Sequence, residues 1–403
     1  MPSIRYKTYA LKLGGGALSN TGTRQYDEHE TIVNLSRQRP NSIREIDLSD
    51  AREMKSLRLL NLACNQIDRI DLSALSHTRE LKTLILGYNQ IQDLDLSPLA
   101  GLPNLEVIVL QRNLLSRGLD LLPLSKIPRL KSLDFRYANL GDVDFRPLKQ
   151  CKSLRVLQLA QNRVSGFKTD DLPESLQVLN IWGMGLKELD LAPVSRMKEL
   201  THLNAHANQL RKLDLKPLKA LEKLRAVNLG QNMLESIDLS GIASSYGMEE
   251  LHLSQNKLQE LDLKPLSSFS QLRVLWCGQN NLQKIDLKPL SNDSSLESLS
   301  VLENNLTEID LAPLRNSSLV ALSLNRNRLQ SIGLSPLSTC ANLRRVLLKQ
   351  NQLGKVDVTP LLKCGDLELI SVDLNTRLMM DDSESGPEWP KGLVREKDRI
   401  ERL

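Results

Sequence analysis

The sequence predicts an α/β solenoid: a curved stack with a parallel β-sheet on its concave face and short helical or 3₁₀ turns on its convex face. Three observations predict it. The frame L-x-x-L-x-L-x-x-N-x-L recurs in fourteen copies starting between Leu57 and Leu367, as in Leu272-Arg273-Val274-Leu275-Trp276-Cys277-Gly278-Gln279-Asn280-Asn281-Leu282. Its asparagines return about every 24 residues, for instance at Asn232, Asn256 and Asn280, a period that marks stacked repeats. The second half of each copy reads I/L-D-L-x-P-L, as in Ile285-Asp286-Leu287-Lys288-Pro289-Leu290, which leaves room only for a thin outer segment.

Residues 1–32 are expected to form an N-terminal flank or cap. Ile4 to Leu13 alternates as a strand, and Gly14, Gly15 and Gly16 read as its turn; no Lys-Ser/Thr follows them, which disfavours a phosphate cradle. The array proper spans 33–378, with a degenerate first copy near Val33 that keeps Asn41 and Ile46-Asp47-Leu48 in register. In every copy the apolar positions 4 and 6 alternate with polar ones, which is strand periodicity. So short a strand cannot stand alone, and consecutive copies are expected to pair in parallel at roughly 4.8 Å.

The frame asparagines follow each strand, where the chain turns inward and backbone groups lose their ladder partners. A buried side-chain amide supplies both donors and acceptors. Such rungs are expected from Asn65 to Asn375, with Ala138 and Met184 standing where two are missing. In the outer half, Ser97, Ser335 and Thr359 precede prolines as candidate caps, since proline tolerates the first turn of a helix. The recurring aspartates, such as Asp71, Asp95 and Asp286, are read as acceptors for backbone N–H groups at turns rather than as calcium sites. Residues 379–403 read as a linker and then either a short helix, with Leu393, Val394, Ile400 and Leu403 covering the last coil, or an unfolded tail.

Net charge is +5 and charged residues are a quarter of the 403, which fits a soluble surface better than a nucleic-acid tail. Cys64, Cys151, Cys277, Cys340 and Cys364 are odd in number and scattered, and they read as small buried side chains. The start, Met1 to Lys7, lacks an apolar signal core, and no run is long and apolar enough to span a membrane. A cytoplasmic location and a monomer are expected.

The frame resembles that of the leucine-rich repeat family over roughly residues 33–378. The resemblance implies the solenoid fold, no enzymatic activity, no cofactor and a role as a partner-binding scaffold. Extracellular members usually close their ends with disulfide-bonded caps, and neither end here carries those cysteines.

Frame positions 3, 5 and 7 face away from the leucines. On that face the sequence gathers Asn180, Trp182, His202, Asn204, His206, Asn228, His252 and Trp276, with Arg136 and Tyr137 secondary. These are the candidate partner-binding residues, because aromatic anchors dominate interface energetics. Trp182 is expected beside His206, and the histidines imply binding that changes with pH near 6–7 if they meet charge. A metal site is disfavoured, since His202 and His206 lie roughly 13 Å apart along one strand. No nucleophile–base–orienter set appears, so catalytic residues and metal ligands are both expected to be none.

A protein partner is therefore the preferred reading. One alternative is RNA or another acidic polymer, held by Arg112, Arg136, Arg326, Arg345 and Lys349 with Tyr88 and Tyr137 interleaved, although stacking aromatics are few. The other is a purely structural spacer.

Overall fold

A computed structural model of the chain describes residues 1–11, 17–37, 42–381 and 389–402. Gly14, Gly15, Gly16, Asn41 and Leu403, named above, lie outside the described residues. The chain divides into two compact units, Met1–Gly185 and Leu186–Leu403.

The first unit opens with β1 (Ser3–Leu11), which pairs antiparallel with β2 (Ala17–Gln25). Strand β3 (Ile32–Asn34) then begins a parallel sheet, while β4 (Ser42–Asp47) returns to the other edge of β1. Ile4 and Ile43 are completely buried beneath this antiparallel layer. The parallel sheet continues through β5 (Leu59–Asn61), β6 (Thr83–Ile85), β7 (Val107–Val109), β8 (Ser132–Asp134), β9 (Val156–Gln158) and β10 (Val178–Asn180). Each strand is three residues long, and its central residue is frame position 4. Leu60, Leu84, Ile108, Leu133, Leu157 and Leu179 occupy that position with no exposed surface. Burying each contributes roughly 1.5–3 kcal/mol.

The second unit repeats the plan. Its sheet runs through β11 (His202–Asn204), β12 (Ala226–Asn228), β13 (Glu250–His252), β14 (Val274–Trp276), β15 (Ser298–Ser300), β16 (Ala321–Ser323) and β17 (Arg345–Leu347). After β18 (Lys355–Asp357), β19 (Leu369–Ser371) completes that sheet beside β17. A second small sheet joins β18, β20 (Arg377–Met380) and β21 (Ile400–Arg402) in parallel. Between β20 and β21 lies α1 (Lys391–Val394), whose Leu393 is fully buried and whose Gly392 N–H donates to Leu367 O at 2.8 Å. The expected tail helix is therefore one turn only. Val394 is half exposed, and Ile400 sits in a strand rather than on a helical face.

The asparagine rungs work as bookends between coils. Asn256 Oδ1 accepts from Leu234 N at 3.1 Å, and its Nδ2 donates to Leu229 O and Leu253 O at 3.0 Å each. One side chain thus satisfies three backbone groups from two consecutive coils, and Asn89, Asn162, Asn280 and Asn304 repeat the pattern. Where Ala138 replaces the rung, its own carbonyl accepts from Leu115 N at 2.8 Å. The last rung departs from expectation. Asn375 is exposed, and the adjacent Thr376 is buried instead, donating its hydroxyl to Leu353 O at 2.9 Å.

Across from the sheet each coil carries a 3₁₀ turn, as at Ser97–Leu99, Lys216–Ala220 and Lys288–Leu290. The cap of these turns is the aspartate and not the serine or threonine. Asp95 accepts from Ser97 N at 2.8 Å, Asp286 from Lys288 N at 2.9 Å and Asp357 from Thr359 N at 2.9 Å. Ser97, Ser335 and Thr359 lie inside their turns and make no capping bond. The physical reason is reach: a side-chain oxygen two residues back spans the first free N–H.

All five cysteines are free thiols, and all but Cys64 are buried. Cys277 fills a frame leucine position, where burial pushes its thiol up to about 12. Cys151, Cys340 and Cys364 do more than fill space. Each thiol points at a carbonyl of the previous coil, Leu124, Leu314 and Leu337 respectively, at 3.3–3.5 Å.

Candidate functional site

Side chains of frame positions 3, 5 and 7 lie on the open face of each sheet, because strand residues alternate and the leucines take the other face. Position 5 is partly committed to the fold. Asn180 Oδ1 accepts from Trp182 N at 3.2 Å, Asn204 Oδ1 from His206 N at 3.0 Å and Asn228 Oδ1 from Gly230 N at 3.1 Å. The carbonyl end of each amide closes the turn after its strand, so only the amino end faces outward. In Asn180 even that end donates to Gln158 Oε1 at 2.7 Å.

In the second unit, the parallel register sets His202 beside Ala226, Asn204 beside Asn228, and His252 between Asn228 and Trp276. The His252 and Trp276 rings meet edge to face, with centroids 4.7 Å apart. His252 Nε2 lies 3.2 Å from Glu250 Oε2, and Trp276 Nε1 donates to Ser298 Oγ at 2.9 Å. The indole is thus fixed from both sides yet remains 41% exposed. His206 is half-buried, and burial lowers its pKa below the ordinary histidine value. Gly230 makes room for it: a Cβ there would lie 3.0 Å from His206 Nδ1. The five candidates His206, Asn204, Asn228, His252 and Trp276 therefore share one open face, with His202 exposed at its margin.

In the first unit the candidates are arranged differently. Trp182 is half-buried rather than exposed, and its ring meets Tyr137 edge-on with centroids 6.1 Å apart. Arg136 is neutralised in a bidentate bond to the buried Asp134, at 2.7–3.2 Å. Gly183, beside it, has φ +65°, the same left-handed turn that follows the strand in neighbouring coils.

Sequence reasoning named Tyr88, Arg112, Tyr137 and Arg326 but missed the backbone conformation of the frame position 8 that they share. Tyr88, Arg112, Tyr137, Gln161, Gln255, Gln279 and Arg326 all occupy it with φ between 53° and 60°. A non-glycine residue in this region costs about 1–2 kcal/mol. The N–H groups justify that cost: Tyr88 N donates to Gln111 O and Arg112 N to Arg136 O, each bond linking two coils. The side chains consequently stack from coil to coil. The Arg112 guanidinium lies over the Tyr88 ring at 5.4 Å and over the Tyr137 ring at 4.5 Å. In the second unit the same column carries Gln279 bonded to Glu303, and Glu303 paired with Arg326. The recurrence of long or aromatic residues just before the frame asparagine was the available signal.

Among the described residues no group of histidine, cysteine or carboxylate side chains has the arrangement of a metal site. No described helix is long and apolar enough to cross a membrane.

Models of the leucine-rich repeat family match residues 55–115 and 315–338. The chain is a leucine-rich repeat protein. Among solved structures, a leucine-rich repeat protein of Leptospira interrogans matches with a TM-score of 0.72 and 21% identity, over 88% of this chain and 86% of that one. An internalin of Listeria monocytogenes, InlF, matches at 0.61 and 25% identity, over 86% of this chain and 87% of that one. The plant peptide hormone receptor RGFR1 matches at 0.60 and 18% identity, over 92% and 71%. The first and third likenesses concern the fold alone. A comparison with curated proteins found no match. Leucine-rich repeat proteins are generally non-enzymatic binding modules, and this fold suggests a protein-interaction module.

Proposed function

We propose that this leucine-rich repeat protein is a non-enzymatic scaffold that takes a protein partner on the concave face of its array. We place the centre of contact in the second unit, at Trp276, His252, Asn228, Asn204 and His206 with His202; Asn180, Trp182, Arg136 and Tyr137 are separate candidate contacts of the first unit. The observation that carries this reading is Trp276, an exposed indole fixed by Ser298 and His252 on the open sheet face. A large aromatic held in one orientation loses little entropy on binding, which is what makes such residues interface anchors. The amino ends of Asn204 and Asn228 add directional donors around it.

The basic residues support RNA less well. Arg136 is paired with Asp134 and Arg326 with Glu303, so two of the five cations proposed for a polyanion are already neutralised. We further place the protein in the cytoplasm as a monomer, a reading that five free thiols support. The deciding experiment is affinity capture with the wild type and with Trp182→Ala/Trp276→Ala. A partner retained by the wild type and lost by the double variant supports the reading; identical capture by both favours a structural spacer.

A further inference from the structure

The first unit carries a cation that the fold does not use. Arg112 is exposed and held between Tyr88 and Tyr137. Among the described residues no acceptor bonds its guanidinium, and neither phenol hydroxyl has a hydrogen-bond partner. Arg136, one coil along, is by contrast satisfied by a buried aspartate. Stacking between two rings orients the planar fork and leaves its edge free, which is the geometry that recognises a carboxylate.

The open face beside this clamp carries an aliphatic strip. Ile85 and Val109 are register partners on β6 and β7, and Leu59 precedes them on β5 at position 3. All three are half-buried.

We propose that the first unit holds a separate anchoring site for an acidic, aliphatic protein segment. A carboxylate of that segment bonds the free edge of Arg112, and a neighbouring Leu, Ile or Val side chain covers Ile85 and Val109. This rests on the reading that the array binds protein but not on Trp276. Charge complementarity selects the occupant. Nucleic acid fits less well, because the guanidinium already occupies one face of each tyrosine and the flanking strip is aliphatic rather than basic.

The test uses the full chain panned with a random-peptide phage library, followed by binding of the synthesised peptides to wild type, Arg112→Gln, Arg112→Lys and Trp276→Ala. Expected are peptides in which Asp or Glu adjoins an aliphatic residue. Their affinity should fall about ten- to a hundredfold in Arg112→Gln, as for loss of a charged hydrogen bond, and by a similar factor when the peptide carboxylate becomes an amide. Arg112→Lys, which keeps the charge but not the fork, should give only partial recovery, and Trp276→Ala should bind as wild type. Selected peptides without an acidic residue, affinities unmoved by Arg112→Gln, or no enriched peptide at all would overturn the inference. So would displacement of the peptides by single-stranded oligoribonucleotide that binds through Arg112. Peptides that depend on Trp276 and ignore Arg112 would overturn it while leaving the proposed function standing. A matched melting curve for Arg112→Gln separates lost binding from lost folding.

Discussion

The imidazole of His252 meets the indole of Trp276 edge-on, at an interplanar angle of 86° and a centroid distance of 4.7 Å, on adjacent parallel strands. Such a pair contributes about 0.5–1.5 kcal/mol beyond its area, and the indole keeps 41% of its surface exposed. Trp276→Ala is therefore expected to destabilise the fold by no more than about 1.5 kcal/mol, a modest change in denaturant midpoint. A much larger loss would mean that the indole serves the core and not a surface.

The frame asparagines should be costly to remove. Asn256→Ala strands Leu234 N and two carbonyls among buried groups, and an expected loss of about 1–3 kcal/mol follows from one such desolvated group. Asn375→Ala should be near neutral, because Thr376 holds the corresponding buried place. Chemical denaturation of the two variants side by side checks the contrast.

Acid should weaken the second unit through His206. Burial is the largest cause of its lowered pKa, outweighing the hydrogen bond from Gln231. The unfolded chain thus binds a proton at higher pH than the folded one. The stability carried by neutral His206 is complete above the ordinary histidine value of about 6.5, and it is lost as pH falls through the lowered folded value. His206→Gln should flatten the denaturation midpoint between about pH 7 and pH 5; an unchanged slope would contradict the assignment.

Thiol reactivity should follow burial. Cys277 is completely buried with its thiol pushed up to about 12, and Cys151 and Cys364 are raised to about 11. Only the thiolate reacts, so an aromatic disulfide reagent at neutral pH should modify Cys64 first, since it alone is not buried. The other four should react only with the unfolding rate. Prompt labelling of Cys277 in the native protein would show that its coil opens.

The sheet and its core were legible in the sequence because the frame fixes which residues point inward. Leu60, Leu251 and Leu275 hold the same position in their strands, and each is fully buried. The fold's corrections share one cause: neighbouring residues competing for the same unsatisfied backbone group. Asp95 takes the N–H of Ser97 and so caps the turn in its place, Thr376 replaces Asn375, and a main-chain carbonyl stands in at Ala138. The candidate site was legible as a face but not as exposure. Alternation placed Trp276 and Trp182 on the open face but says nothing of the Tyr137 ring that meets Trp182 edge-on. Arg112 was legible only as one of several basic residues, because strand alternation says nothing about the conformation of a residue in the left-handed turn that follows the strand.

Placement of the partner is tested most directly by a photo-reactive amino acid introduced singly into the full chain. Ser300, the register partner of Trp276 on the open face, is one position, and Lys288, in a 3₁₀ turn of the same coil as Trp276, is the other. Irradiation in the native cell should join a discrete protein to position 300 and not to position 288, and the adduct should vanish when Trp276→Ala is added. An adduct at position 288 alone, or one at position 300 that persists without the indole, would contradict docking at Trp276.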